Sequence, residues 1–585
     1  MKVLTTIQTR FDQFLDGITQ KKPTGYDVLI LSLFTIFITF QPYYIHGKIN
    51  LFEIGLYLPG INAILAGEFP YRDFYHLRGP LELYVPAWLM QIFGVHINVL
   101  YTFFYLSNIL CLIMVIAVAK EILTTRLMLY LFTLPFIGRT FIRVVYQIWG
   151  GMRYVWGLAS VFCVVRFFKS RNLGWMLAAG VTSALGSLTS IEAGVYVFLG
   201  VVAALICALI FRVMSPSFIL KAAGYYIGGL AVVGLPFLAI LFGNHALGAY
   251  CDITLSTVFN MQKVIDPHLV SVYPRNFIEA LIAMTNPWSI NFKHMTPSYV
   301  YIFLLVYLGS RARRKIFTAS DLCLVLLGVY GFVMYNTGFR GLWAAQFEMS
   351  LMPEKVLYFF LLEVFLLFAL AKREQREQRE QRAPTGNRSF SWRVVAGLFA
   401  VALILSSVGY GIQRFSSRFV AFKFLMAKIS GKSTAKLRPL HNEKSAQLTM
   451  ERAKGILVPE YQEKELEKVV SYLKQNSSKN DIVFTYPDLG AINFLADRPF
   501  LGRFPLITFS WFNDKWHEEI MADLEKQDVK FVILQKKMTP DWYQVYLGFD
   551  FNRRKYDEMM RVFNSKFQRV YETDEYYFLS PRKNY

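Results

Sequence analysis

The sequence predicts a mainly helical membrane protein, a polytopic transmembrane bundle with a soluble α/β domain at its C-terminal end. Three observations carry this expectation. Hydrophobic residues fill 54% of the 585 positions and charged residues only 18%, a balance on the apolar side of soluble usage. The apolar residues fall into runs near the roughly 20 residues that a helix rising about 1.5 Å per residue needs to cross a hydrocarbon core about 30 Å thick. After about residue 413 the long runs stop, and short helix and strand patterns alternate.

Taken in order, the candidate spans are 28–46, 97–119, 127–142, 153–168, 172–190, 191–211, 217–243, 297–310, 320–337, 355–371 and 394–412, about eleven in all. Residues 1–27 are polar and amphipathic, without the basic, apolar and cleavage-site order of a signal peptide, so the first span is expected to be retained. Lys and Arg are held on the cytoplasmic side of membranes. With the N-terminus inside, the cytoplasmic connections become KEILTTR (120–126), KSRN (169–172), 212–221, RARRK (311–315) and KREQREQREQR (372–382), and all are basic. The loop 47–96 and everything after 413 then lie together on the external face of a plasma (inner) membrane, and Pro80–Phe93 must lie along the membrane rather than cross it. The R-E-Q repeat reads as a solvated linker.

The net charge of +21 suggests no nucleic-acid partner, because much of the Lys and Arg sits between apolar runs as membrane anchors do. Five scattered cysteines show neither metal-ligand spacing nor a disulfide pattern. In the C-terminal domain, 461–475 places Leu466, Val469, Val470 and Leu473 on one helical face before the strand 481–486, and 517–527 precedes the strand 529–534. That repeated order predicts a partly parallel sheet. No phosphate loop or nucleophile elbow occurs there, so the domain reads as a structural or acceptor-docking lobe.

Chemistry concentrates in residues 51–94. Glu53 opens a segment with Leu56, Tyr57, Ile61 and Leu65 at helical spacing, as in an amphipathic helix lying at the interface, and Gly67 and Pro70 can end it. Arg72, Asp73, His76 and Arg78 follow on a short turn before Gly79-Pro80. Transfer of a sugar from a phosphate carrier needs a base for the acceptor hydroxyl and cations, or a metal, for the departing phosphate. Glu53 or Asp73 could be the base; Arg72, Arg78 and His76 could meet the phosphate; Glu53, Asp73 and His76 could hold a divalent ion. The alternative is that Glu53 caps a helix, Asp73 pairs with Arg72 or Arg78, and the basic groups meet lipid headgroups. Further candidates are Arg139, Arg143 and Arg153 around YQIWGGMRYVWG, Arg340 in NTGFRGLW, and Glu192 at the outer turn between two spans.

The stretch resembles the first external loop of type C glycosyltransferases, in particular bacterial relatives of the protein O-mannosyltransferases and the lipid A aminoarabinose transferase. The resemblance rests on Phe52-Glu53-Ile54-Gly55, on Gly67-Glu68-Phe69-Pro70-Tyr71-Arg72-Asp73-Phe74, on Gly79-Pro80 and on Phe93-Gly94, and closely covers under a tenth of the chain. Related loops commonly open on two acidic residues, whereas here Phe52 takes the first position and Glu53 stands alone. The resemblance implies a type C-like bundle over 28–412 and an inverting transfer of a hexosyl, pentosyl or modified sugar from a polyprenyl-phosphate donor to a lipid, glycan or protein acceptor. A flippase or transporter would show internal repeats, which the chain lacks. A polysaccharide polymerase or ligase shares the lipid-linked donor, and the loop motif distinguishes it.

Overall fold

The computed structural model describes residues 21–39, 49–144, 151–264, 277–283, 297–338, 348–380, 392–418, 420–432, 444–507, 512–537 and 550–582. In chain order its helices are α1 (Gly25–Thr39), α2 (Leu51–Gly55), α3 (Leu58–Leu65), α4 (Leu81–Phe93), α5 (Ile97–Ile122), α6 (Arg126–Val144), α7 (Gly151–Ser170), α8 (Gly174–Thr189), α9 (Ile191–Ile210), α10 (Pro216–Gly243), α11 (Leu247–Val264), α12 (Phe277–Ala283), α13 (Pro297–Arg313), α14 (Ala319–Gly338), α15 (Met352–Glu380), α16 (Trp392–Arg418) and α17 (Val420–Ile429). Each predicted span overlaps a helix, α1, α5 to α10 and α13 to α16, and residues 40–46 of the first span lie outside the described residues. Of these, α5, α7, α9, α10 and α14 are by themselves long and apolar enough to cross a membrane. The 13-residue α4 is about 20 Å long, too short to cross. Exposed Leu, Ile and Phe side chains run along α9 and α10, as a lipid-facing surface requires.

The basic connections gather at one end of the bundle. Glu121 at the end of α5 pairs with Lys169 at the end of α7 at 3.0 Å, and Arg126 at the start of α6 pairs with Asp27 at the start of α1 at 2.5 Å. Glu363 of α15 accepts from the backbone N–H groups of Thr124 and Thr125, while Arg311 and Asp321 join α13 to α14. The R-E-Q repeat continues α15 as helix through Glu380.

The C-terminal domain contains the short pair β1 (Ser445–Gln447) and β2 (Leu457–Pro459), then α18 (Glu460–Asn476), β3 (Ile482–Tyr486), α19 (Ala491–Ala496), α20 (Asp514–Lys526), β4 (Val529–Gln535), α21 (Asp550–Lys566), β5 (Phe567–Glu572) and β6 (Tyr576–Pro581). The four-stranded sheet has the order β3-β4-β6-β5, with β3 parallel to β4 and the other pairs antiparallel. Leu466, Val469, Val470 and Leu473 of α18 are all buried, as the helical spacing predicts. The change of composition near 413 does not end the preceding helix, since α16 runs to Arg418 and the first strand begins at Ser445.

The first loop departs from the single interfacial helix expected of it. It forms two helices, α2 and α3, and Ile54, Tyr57, Leu58 and Ile61 are wholly buried. Their apolar cover comes from protein: Leu448, Met450, Ile456, Leu466 and Phe494 of the C-terminal domain share one core with them. An apolar stripe is satisfied equally by lipid or by another domain, and sequence periodicity does not distinguish the two. Gly55 makes the approach possible, because a Cβ there would lie 3.0 Å from the Ala491 nitrogen.

Candidate active site

The loop is held in place by polar contacts at both ends. Asn50 caps α2, its side chain accepting from the N–H groups of Phe52 and Glu53, and Gln462 of α18 both donates to and accepts from the Ile49 backbone. Glu53 therefore sits in the first turn of a capped helix, half-buried beneath the C-terminal domain. Past α3, Gly67 adopts φ 93°, the left-handed conformation that ends helices. The Tyr75 N–H donates to the Arg503 carbonyl at 2.6 Å, and the Tyr75 ring packs on Phe504, Phe512 and Trp516.

Gly79 then docks the loop on the turn between α8 and α9. Its N–H donates to the Thr189 carbonyl, and any Cβ would fall 1.9 Å from the Leu188 oxygen. This contact and the hydrogen bond from the Tyr71 hydroxyl to the Arg78 carbonyl at 2.7 Å fix the Arg78 backbone. The Arg78 side chain donates to the Tyr57 hydroxyl and lies 3.3 Å from Glu82. On the other side of Glu82, at 3.6 Å, is Arg153. Arg153 projects from the first turn of α7, which Gly151 lets approach α5 so closely that a Cβ would meet the Asn108 backbone at 2.5 Å. Two guanidiniums thus flank one buried carboxylate beneath the first loop, with the Glu53 carboxylate within electrostatic reach of Tyr57. Burial drives the Tyr57 hydroxyl pKa well up, opposed by Arg78, with a smaller upward push from the Glu53 carboxylate.

The sequence candidates divide into two groups. Glu53, Arg78 and Arg153 come together through Tyr57 and Glu82, and Glu192, exposed and accepting from Tyr196, lies within electrostatic reach of Arg153. Arg72 and Asp73 stand apart, paired with each other at 2.6 Å. Asp73 also accepts from the Phe69 N–H, and the Arg72 guanidinium holds its carboxyl below the usual range. Asp73 lines a different cavity from Arg78, so acids and bases of the turn do not converge on one point.

His76 is buried within the turn. Burial, helped by the neighbouring Arg78, pushes its pKa down to about 3, leaving a neutral ring at pH 7. It lines a cavity of about 20 Å³ with Leu56, Tyr57, Arg78, Pro505 and Leu506, room for about one water. Arg340 lies outside the described residues, as do the side chains of Arg139 and Arg143.

Glu82 and Tyr57 are the residues that sequence reasoning passed over. The available signal was a lone carboxylate in the apolar helix LELYVPAWLMQIF, four residues after Arg78; an acid in such a setting needs a buried partner. The three groups offered to a divalent ion do not assemble: Asp73 is clasped by Arg72, and among the described residues no set of three or more His, Cys, Asp or Glu side chains is placed to hold a metal.

No protein-family profile and no curated protein sequence matches the chain. Solved structures do. ArnT from Cupriavidus metallidurans in the apo state superposes over 94% of this chain and 97% of its own, at 11% identity and a TM-score of 0.50. The oligosaccharyltransferase AglB from Archaeoglobus fulgidus, in complex with an inhibitory peptide and a dolichol-phosphate, covers 95% of this chain and 74% of its own at 13% identity, TM-score 0.48. The arabinofuranosyltransferase AftD from Mycobacteria covers 97% of this chain with 40% of its own at 10% identity, TM-score 0.43. The likeness to ArnT is one of fold, and it extends through bundle and C-terminal domain alike.

Proposed function

We propose that this chain is a glycosyltransferase that moves a sugar from a polyprenyl-phosphate donor to an acceptor hydroxyl on the non-cytoplasmic face of the membrane. The observation that carries the reading is the pair of arginines, Arg78 and Arg153, held on either side of Glu82 and set beside Glu53 in the loop most like the type C enzymes. The ArnT-like fold along the whole chain supports it. The acceptor oxygen bonds to the anomeric carbon as the bond from that carbon to the phosphate oxygen breaks. Glu53 takes the hydroxyl proton, and the electron pair leaves with the phosphate.

Each part of the site answers one need of that step. The guanidinium of Arg78, with Arg153 behind it, meets the charge that grows on the leaving phosphate, where preorganised cations act most strongly. Arg340 is the second proposed phosphate contact. Cover from the C-terminal domain keeps water from competing with the acceptor. In this reading Asp73 shapes the turn rather than taking the proton, and the basic bundle end faces the cytoplasm.

The test is Glu53→Gln in purified protein, assayed with polyprenyl-phosphate sugars extracted from cells lacking the protein. A general base contributes about 10²–10⁴-fold, so turnover should fall by that factor, roughly 3–5 kcal/mol, while undecaprenyl phosphate still binds. Asp73→Asn should retain most activity. Normal turnover in Glu53→Gln with an inactive Asp73→Asn that still binds carrier would transfer the base role to Asp73, and normal turnover in both would remove the proposed site.

A further inference from the structure

A second cavity, separate from the arginine pair, opens between the first loop and the C-terminal domain. It measures about 510 Å³, within the range of small-molecule sites. One wall is Asn62 on α3 with Ala66 just past its end, continued by Glu68 and Asp73; the other is the 479–480 turn with Phe500. Asn62 is already oriented, because Arg452 of the C-terminal domain donates to its Oδ1 at 3.1 Å, which leaves its NH₂ group as a donor. Arg452 is itself anchored on Asp497 at 2.6 Å.

The lining restricts what can bind. The Arg498 guanidinium donates to the Ser477 hydroxyl and to the Ala496, Asp497 and Ser477 carbonyls, and Lys479 pairs with Asp497 at 3.3 Å, so neither turns a cationic field on a phosphate beside Glu68 and Asp73. Amides and carboxylates line too much of the surface for an acyl chain. A peptide cannot add there as a strand, because the outer edge of β3 is closed, with the Val483 N–H donating to the Pro499 carbonyl and the Val483 carbonyl accepting from Asn493. What remains is an uncharged, hydroxyl-rich ligand. Carboxylates accept from neighbouring hydroxyls, amides both donate and accept, and Phe500 offers an apolar face to a ring.

We propose that this cleft is a saccharide-binding subsite for the acceptor, holding a sugar ring remote from the hydroxyl that reacts. The assignment rests on the transferase reading above and narrows its acceptor to a glycan or the sugar headgroup of a glycolipid. Binding energy gathered there orients the acceptor without touching the chemistry.

Two exposed positions test it in the full-length protein expressed in cells that lack it. Ala66→Trp fills the cleft, and Asn480→Ala removes an amide from a turn in which its side chain makes no hydrogen bond among the described residues. The readouts are the envelope glycan and glycolipid fractions, the polyprenyl-phosphate sugars by mass spectrometry, and binding of undecaprenyl phosphate to each purified variant. Ala66→Trp should lower the glycosylated product at least tenfold and Asn480→Ala severalfold. Both should accumulate donor and bind undecaprenyl phosphate as the wild type does. Product in the water-soluble fraction identifies a glycan acceptor, and product in the lipid fraction a glycolipid. Wild-type product levels in both variants, or a product linked to protein, would overturn the cleft assignment. If Ala66→Trp also loses carrier binding, Asn480→Ala alone decides. Absence of any accumulated polyprenyl-phosphate sugar in cells without the protein would instead refute the transferase reading.

Discussion

Replacement of Glu82 by Gln isolates the electrostatics of the arginine pair, because the side chain keeps its size and loses only its charge. The carboxylate is 1% exposed and lies 3.3 Å from Arg78 and 3.6 Å from Arg153. At an effective dielectric of 20, a contact of that length is worth about 5 kcal/mol before desolvation is counted. After desolvation, removal of one partner from a buried ion pair costs about 3–5 kcal/mol, since the remaining charges stay buried. Here two arginines would lose the carboxylate they share. The thermal unfolding temperature of detergent-solubilised Glu82→Gln should therefore fall by several degrees. An added anion can replace the missing one, so saturating undecaprenyl phosphate should raise the variant's unfolding temperature by more than it raises that of the wild type. A variant as stable as the wild type would show that Glu82 does not balance the arginines. A carrier-induced shift no larger than the wild type's would show that the phosphate does not reach them.

His76 gives a pH dependence of defined sign. Its folded pKa of about 3 is below the ordinary 6.5, so between these values the unfolded chain binds a proton that the folded chain does not, and stability falls as pH drops through 6.5. At pH 5 the loss is about 2 kcal/mol; unfolding temperatures at pH 5 and 7.5 should converge in His76→Gln, and an unchanged pH difference would contradict the burial argument. Gly79→Ala forces a methyl group into the Leu188 carbonyl and should cost at least the 1–3 kcal/mol of an overpacked core, read as lost folded protein; normal yield and unfolding temperature would mean that the loop docks elsewhere. Cys251 is exposed on α11, at the end of the bundle that carries the C-terminal domain, so an impermeant maleimide should label it in intact spheroplasts. Labelling only after lysis would invert the proposed orientation.

How much of the site was legible in the sequence can be seen residue by residue. The Gly67 helix end and the pairing of Asp73 with Arg72 as one of two readings follow from local rules, and the structure shows both. The four buried residues of α18 and the parallel pairing of β3 with β4 follow from periodicity and element order. Glu82 did not, because its significance depends on Arg153, 71 positions away and delivered by a glycine contact between α5 and α7. The charge state of His76 did not either, since burial is a property of packed neighbours rather than of a residue type.

The sequence by itself determined the membrane bundle with its several long apolar helices and the α/β character of the C-terminal domain, because hydropathy and periodicity are summed over many residues within each segment. Only the tertiary structure decided that α2 and α3 are roofed by that domain, that Asp73 faces one cavity while Arg78 faces another, and that Glu82 joins two distant arginines. Those outcomes depend on single contacts a few ångströms long between segments far apart in the chain, and side-chain chemistry at one position carries no record of which distant partner the fold will bring to it.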